Sequence, residues 1–192
     1  PMNPGRLLVI WIIPLLCCGS LTTGCSGGGT SSSPRTIPAS AYKMKSPPTY
    51  NEWDLKFIKG AYLSHTEVTR MLRRTSERTD NVHVRTLATG LLSVRAGELQ
   101  MLSSWLADWD MPRPKSTGTD KATQGINKLS GTDYDKKLLA YLLENQRELL
   151  RLATQEQEAG TYSPARRLAE RTVQSSTGLI ANMSTMADNL TD

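Results

Sequence analysis

The chain has 192 residues, few aromatic side chains and a net charge of +5, and this length suits one domain of ordinary size. Its charges are mixed rather than segregated, as where Arg70, Arg73 and Arg74 alternate with Glu67 and Glu77. Such mixing is typical of a solvated helix face and not of a groove that binds nucleic acid. Composition and charge therefore argue against nucleic acid as a partner.

Residues 1–24 have the pattern of a secretory signal peptide. Arg6 supplies the positive start, and residues 7–16 (LLVIWIIPLL) form an apolar segment too short to span a bilayer unaided. Small residues then lead to Cys25, and this ending resembles a bacterial lipoprotein signal, in which the cysteine is lipidated and becomes the mature N-terminus. The alternative is an uncleaved N-terminal anchor. Both alternatives hold the rest of the chain at the membrane, outside the cytoplasm.

Residues 25–48 are predicted to be a flexible tether, because Gly, Ser, Thr and Pro dominate them and little in them can be buried. Removal of residues 1–24 takes away Cys17 and Cys18 and leaves Cys25 as the lipidation site. One cysteine cannot form an intramolecular disulfide. The stability of the folded part must therefore come from packing.

Residues 49–192 are predicted to fold as four helices. Apolar residues recur every three or four positions, which is the spacing of one helix face, and no segment shows sustained strand alternation. Thr49 and Glu52 fit a capping box for the first helix, and Pro164 suits the first turn of the fourth. The predicted inward faces are Phe57, Ala61, Ser64/His65, Val68 and Leu72; Leu87, Leu91, Val94, Glu98, Met101/Leu102 and Trp105; Leu138, Leu142, Asn145/Gln146, Leu149 and Ala153; and Leu168, Thr172, Ser175, Leu179, Met183 and Met186.

An internal repeat organises these helices. A shift of 81 positions aligns residues 54–105 with residues 135–186 without a gap, and ten of the 52 aligned pairs are identical. Residues 110–131, which contain prolines and several small residues, would be the crossover between the two copies. The repeat predicts an all-α, four-helix bundle built from two equivalent helical hairpins.

The predicted interior holds one histidine, His65, and one carboxylate, Glu98. Since a buried charge needs a partner, Glu98 would accept a hydrogen bond from His65, pair with Arg95, or bind a metal together with His65. Thioethers on the same faces extend such a site, and imidazole with thioether ligands favours copper, above all Cu(I). The alternative is that the methionines fill the core. The candidate metal ligands are His65, Met71, Glu98, Met101, Met183 and Met186.

Catalysis is not expected. The folded part has one inward histidine and no cysteine, so a Ser-His-Asp or Cys-His site lacks support. A di-iron centre needs several carboxylates and Glu-x-x-His pairs, and Glu98 has no histidine three residues further on. The chain is therefore expected to bind rather than to catalyse.

These residues resemble a known family. Residues 52–186 look like the domain-of-unknown-function family 305, through Asp54, Phe57, His65, Val68, Met71, Leu87-Ala88, Glu98-Leu99 and Trp105-Leu106. The resemblance implies an exported, ferritin-like bundle, often duplicated, and several members are implicated in binding copper through His and Met side chains. This chain departs from the family pattern at several positions. Ser64 replaces the first histidine of a pair, the second copy has Asn145 and Gln146 there, and Leu179 takes the glutamate position.

The resulting hypothesis is a lipid-anchored cell-envelope protein that binds or buffers copper through a degenerate site. The alternative is a non-catalytic scaffold or accessory subunit that has lost its metal and binds a membrane or envelope protein complex. In both cases the membrane is a partner, through lipid at Cys25.

Overall fold

The structure, a computed structural model, describes residues 49–116 and 121–190. The predicted signal peptide, the tether and Cys25 lie outside the described residues. The described part is all-α and contains no strand. Its helices are α1 (Glu52–Leu72), α2 (Thr75–Arg78), α3 (Val82–Asp108), α4 (Lys121–Ile126), α5 (Gly131–Ala159) and α6 (Ser163–Asp188). The four long helices α1, α3, α5 and α6 confirm the predicted ferritin-like bundle of two hairpins.

Local capping explains where the long helices begin. Asn51 starts α1, because its side chain accepts hydrogen bonds from the backbone of Trp53 and Asp54 while Asp54 accepts one from the backbone of Asn51. This reciprocal capping box lies two residues beyond the predicted Thr49 and Glu52 pair. Asn81 caps α3 from one side only, because its side chain accepts from the backbone of His83 and Val84 and no residue of α3 reciprocates. A proline in the first turn opens α6.

The two hairpins pack through α1 and α5. Within the first hairpin α1 packs on α3, within the second α5 packs on α6, and α3 and α6 stand apart along the remaining side. Asp54 at the start of α1 accepts a hydrogen bond from the backbone of Thr161, just past the end of α5, so α1 and α5 run antiparallel. At their crossing the Ser64 hydroxyl donates to Asn145 Oδ1 over 2.8 Å. These two positions are equivalent in the repeat, which indicates an approximate twofold axis there.

Two apolar clusters fill the bundle, one at each end. The first contains Phe57, Ile58, Leu102, Leu106, Leu149 and Leu168 among others, and the second contains Val68, Val84, Leu138, Leu139, Leu142 and Met183 among others. Between them in the chain, every long helix contributes at least one buried polar residue, and one from each helix joins a single hydrogen-bonded cluster. These are His65 on α1, Arg95 on α3, Gln146 on α5 and Ser176 on α6.

The inward face of α3 and one position of α6 differ from the prediction by one residue, whereas Leu168, Thr172 and Met183 of α6 are buried as predicted. Val94 is 56% exposed while Arg95 is buried, and Ser175 is exposed while Ser176 is buried. One residue corresponds to about 100° of helix rotation. The rotation follows the apolar residues that do pack inward on α3, namely Val84, Ala88, Leu102 and Leu106. No helix among the described residues is long and apolar enough to cross a membrane.

Candidate functional site

His65 and Glu98 meet in the middle of the bundle. Nε2 of His65 lies 2.8 Å from Oε2 of Glu98, and His65 is only 2% exposed. An ionised carboxylate can only accept hydrogen bonds, so Nε2–H of the imidazole donates this one. The other ring nitrogen, Nδ1, then carries no proton and keeps its lone pair. It is buried, and nothing in the described part of the chain hydrogen-bonds to it.

Arg95 completes the cluster and joins three helices. Its Nη1 donates to Glu98 Oε2 over 2.7 Å, and its Nη2 donates to Gln146 Oε1 over 2.7 Å. The same Nη1 lies 3.4 Å from Nε2 of His65. Arginine is permanently charged and has only donors. A fixed positive charge therefore sits between the imidazole, the carboxylate and the amide oxygen.

The network continues to the fourth helix. Gln146 Nε2 donates to Ser176 Oγ over 2.9 Å, and Ser176 Oγ donates to the backbone oxygen of Thr172 within α6. His65, Arg95, Gln146 and Ser176, one from each long helix, occupy two pairs of equivalent repeat positions, 65 with 146 and 95 with 176. The same layer of the bundle thus carries His and Arg in one copy and Gln and Ser in the other.

The surroundings shift the pKa values of both titratable groups of the cluster. Burial lowers the pKa of His65, and the nearby Arg95 charge lowers it further, against the opposing effect of Glu98. Burial alone would raise the pKa of Glu98, but the hydrogen bond from His65 and the charge of Arg95 prevail and lower it to about 2. At neutral pH the cluster is a carboxylate and a guanidinium beside a neutral imidazole, and its internal charge is balanced.

The structure does not place the predicted metal ligands around one point. Met71, Met183 and Met186 belong to one apolar cluster, while Met101 packs against the other. Met71 is six residues beyond His65 on α1, about 9 Å further along the helix axis. Within the described residues no group of three or more His, Cys, Asp or Glu side chains could hold a metal. As metal ligands the six residues remain a prediction.

An open groove of about 740 Å³ lies between α3 and α6, where the two helices stand apart. Arg95 and Glu98 line it beside the half-buried Leu87 and Leu91 of α3. The α6 side contributes Leu179 and Met186, together with the exposed Arg171, Ser175 and Asn182. The volume is in the range of ligand-binding clefts. Glu98, 19% exposed, connects the buried cluster with this groove.

Arg95 and Ser176 were not predicted as members of the inward faces, although pairing of Glu98 with Arg95 was one stated alternative. Two signals pointed to them. Arg95 precedes Glu98 by three residues, which places both on one helix face. The repeat also matches Arg95 with Ser176, as it matches His65 with Gln146. His83, the second histidine, is exposed at the start of α3 and at the edge of the groove.

Family comparison gives a clear assignment. The model of the family described as "Domain of unknown function (DUF305)" matches residues 54–187, which is most of the chain and spans both repeats. The chain belongs to the DUF305 family. Comparison with curated proteins finds no match.

Solved structures share the fold. A DUF305 protein from Streptomyces coelicolor, described as secreted, is 23% identical with a TM-score of 0.66 and covers 72% of this chain and 92% of its own. A DUF305 fragment from Deinococcus radiodurans is 16% identical, with a TM-score of 0.66 and coverages of 74% and 99%. CopM in its Cu(II)-bound form is 14% identical, with a TM-score of 0.62 and coverages of 71% and 96%. At these identities the likeness establishes the fold alone.

The residues around His65 do not fit a resident metal between His65 and Glu98. Carboxylate and imidazole groups could both ligate a metal there, but the guanidinium of Arg95 already occupies the space on that side. It hydrogen-bonds the carboxylate and lies 3.4 Å from the ring nitrogen. A second cation at that point would lie beside the guanidinium charge and would have to compete with it for the same carboxylate.

Proposed function

We propose that this DUF305 protein is a lipid-anchored, non-catalytic envelope protein that binds a partner in the groove between α3 and α6. The observation that carries this proposal is the groove itself. Two long helices of one bundle leave apolar side chains uncovered there, although each packs closely on its own hairpin partner. Val94, on the groove wall, is 56% exposed, and a large apolar side chain in that position suits a contact surface.

The chemistry of the groove favours an amphipathic helix with an acidic residue. Its walls are apolar, and the lining of α3 runs from His83 to Glu98, about 22 Å at the helical rise. A helix laid into an apolar groove is a common recognition mode. Among the described lining residues the one acid is Glu98, which is already paired. Exposed Arg171 is left to attract an acidic group of the partner.

Binding is favoured over catalysis by the state of His65. The imidazole is almost fully buried, it donates to Glu98, and Arg95 lies against the same nitrogen. A general base must reach the proton that it removes, and this ring does not reach solvent. The network therefore supports a structural role for His65.

A synthetic peptide tests the groove. The probe is a fluorescein-labelled amphipathic helix with a central glutamate, compared with the same helix carrying lysine there. Binding to the mature chain in detergent is followed by fluorescence anisotropy. Val94→Asp should weaken binding of the glutamate peptide at least tenfold, because it puts a charge on the apolar wall. Ala96→Asp is the matched control, since Ala96 is exposed on the same helix outside the groove.

Equal affinity for Val94→Asp and Ala96→Asp would refute the groove as the binding surface. Preference for the lysine peptide would refute the proposed partner charge. Arg171→Ser should also reduce the preference for glutamate over lysine, because it removes the exposed cation of the groove.

Anchoring at Cys25 is a separate part of the proposal. It is supported by the signal pattern of residues 1–24 and by a family relative described as secreted. Cells fed a radiolabelled fatty acid should label the wild-type chain and leave Cys25→Ala unlabelled. Release of Cys25→Ala from membranes, with wild type retained, is the matching fractionation result. Equal labelling of the two chains would contradict lipidation at this residue.

A second candidate function is Cu(I) binding on the other side of the imidazole. The observation that favours it is the buried, unpartnered Nδ1 of His65, because a histidine that donates its other nitrogen to a carboxylate is the usual arrangement of a metal ligand. The likeness to CopM in its Cu(II)-bound form supports this candidate. Copper would be the cofactor, and thioethers would have to complete the site.

A Cu(I) titration against a chromophoric chelator tests this candidate. Tight binding of one Cu(I) that weakens at least tenfold in His65→Ala, with His83→Ala unchanged, would establish it. Absence of competition by the wild-type chain, or equal affinity of His65→Ala, would eliminate it and leave the groove as the functional surface.

A further inference from the structure

The polar centre of the bundle has the geometry of a cation site, and the chain itself supplies the cation. Three polar atoms from three helices converge there: His65 Nε2, whose N–H donates to Glu98, and the acceptor oxygens Glu98 Oε2 and Gln146 Oε1. Each lies within 3.4 Å of a guanidinium nitrogen of Arg95. The carboxylate and the amide oxygen are each 2.7 Å away, a normal length for a charge-assisted hydrogen bond.

We propose that the guanidinium of Arg95 is a built-in replacement for a divalent metal ion, cross-linking the helices and excluding metal from the His65–Glu98 centre. With the guanidinium gone and the proton of His65 on Nδ1 instead of Nε2, an imidazole nitrogen, a carboxylate oxygen and an amide oxygen, with water, could ligate Zn²⁺. The side chain that prevents this is tethered to α3 and carries its own positive charge. The inference goes beyond partner binding in the groove and is independent of it.

The repeat gives the variant that opens the centre. Ser176 occupies the position of Arg95 in the second copy and is fully buried without a charge, so this layer of the bundle accepts a serine. Arg95→Ser should remove the internal cation, free the carboxylate and leave room beside His65 Nε2. It should also lose the bond to Gln146 that joins α3 to α5.

Thermal unfolding of the mature chain, purified in detergent without a histidine tag, measures both consequences. With a chelator present, Arg95→Ser should melt at least about 5 °C below wild type, because a buried carboxylate has lost its partner. Saturating Zn²⁺ should raise the melting temperature of Arg95→Ser by about 5 °C or more and shift that of wild type by less than about 1 °C.

Three controls separate this mechanism from others. Arg171→Ser removes an exposed charge from the same groove and should change neither melting temperature nor Zn²⁺ response. Arg95→Lys keeps a charge and should show no Zn²⁺ response. Adding His65→Ala to Arg95→Ser should abolish the response. Arg95→Gln, which retains a donor to Glu98, is the milder variant to measure if Arg95→Ser does not fold, and Zn²⁺ should stabilise it too.

An equal Zn²⁺ response of wild type would overturn the proposal, because Arg95 would then not exclude metal. Absence of any response in both Arg95→Ser and Arg95→Gln would also overturn it, because the remaining groups would not be a cation site. Peptide binding in the groove is a separate measurement, so failure of one proposal is distinguishable from failure of the other.

Discussion

The carboxyl groups of Glu156 and Asp54 come together where α5 ends and α1 begins, and burial, then the neighbouring Asp54, raise the pKa of Glu156. Asp54 already accepts from the backbone of Asn51, Thr161 and Tyr162. Glu156 is fully buried, and neither of its oxygens accepts from any donor in the described part of the chain. Glu156 is therefore the group of this pair that carries a proton at neutral pH, because its pKa is raised to about 8.

The first prediction concerns the pH dependence of stability. Burial and then the neighbouring Asp54 raise the pKa of Glu156 to about 8, whereas its ordinary value is near 4.5. The folded state then holds a proton that the unfolded state has released, so its stabilising effect is complete below about pH 4.5 and is lost as pH rises to about 8. The free energy of unfolding should fall over this interval by up to about 1.4 kcal/mol per pH unit.

Urea unfolding at pH 5.5 and pH 8 checks this prediction. Glu156→Gln keeps the shape of the side chain, can donate to Asp54 and does not titrate. It should lose most of the decline and be more stable than wild type at pH 8. Glu158→Gln, an exposed neighbour on α5, should retain the wild-type decline. An identical pH dependence in wild type and Glu156→Gln would show that Glu156 does not hold the proton.

The second prediction concerns the glycine that closes the same end. A methyl group added at Gly160 would meet the carboxyl group and the backbone oxygen of Glu156. Gly160→Ala should therefore destabilise the fold by about 1–3 kcal/mol, the usual cost of overpacking a tight site. At Gly178 the added methyl meets nothing within 4 Å among the described residues. Gly178→Ala should stabilise by up to about 1 kcal/mol through helix propensity, and denaturant midpoints compare the two.

The third prediction concerns the contact between the repeats. The hydrogen bond from Ser64 to Asn145 joins α1 and α5 at equivalent positions. A double-mutant cycle with Ser64→Ala and Asn145→Ala should give a coupling energy of about 0.5–1.5 kcal/mol. The pair Ser64 and Glu144, in which Glu144 is exposed on α5, should give none. Additive single effects at Ser64 and Asn145 would mean that this bond does not hold the hairpins together.

The fold was predictable because it depends on periodicity and repetition. The faces of α1 and α5 follow from apolar spacing, since residues such as Phe57 and Leu138 have no competing polar neighbour in the stripe. On α3 the same reasoning placed Val94 inside and left Arg95 out, because apolar spacing assigns a valine to the buried face and an arginine to the solvent. The buried arginine is favoured only once Glu98 and Gln146 are seen to pair with it. That depends on three helices together and on no single segment.

The site was predictable only in part, because its remaining contacts also join residues from different helices. His65 and Glu98 follow from two stripes, and the structure brings them into contact. The burial of Glu156 was missed, since the acid lies in a run of polar residues, Gln155 to Glu158, without an apolar pattern. The proton that it carries depends on Asp54, more than 100 residues away in the chain. Contacts of that separation leave no trace in local spacing.

The fourth prediction tests the charge balance of the central cluster. Glu98→Gln keeps a hydrogen-bond acceptor for Arg95 and His65 but leaves the guanidinium buried without a countercharge. Glu98 is partly exposed, so water moderates the loss, and we expect about 1–3 kcal/mol of destabilisation at pH 7. Glu144→Gln, at an exposed position on α5, should change the free energy of unfolding by less than about 0.5 kcal/mol.

Repeating the comparison at acid pH shows whether the loss of stability in Glu98→Gln is electrostatic. The pKa of Glu98 in the fold is lowered to about 2, below its ordinary value near 4.5. Its contribution is therefore complete above about pH 4.5 and lost as pH falls towards 2. The difference in unfolding free energy between wild type and Glu98→Gln should shrink between pH 5 and pH 3. A difference that stays constant over that range would mean that the substitution acts through packing, because packing does not titrate.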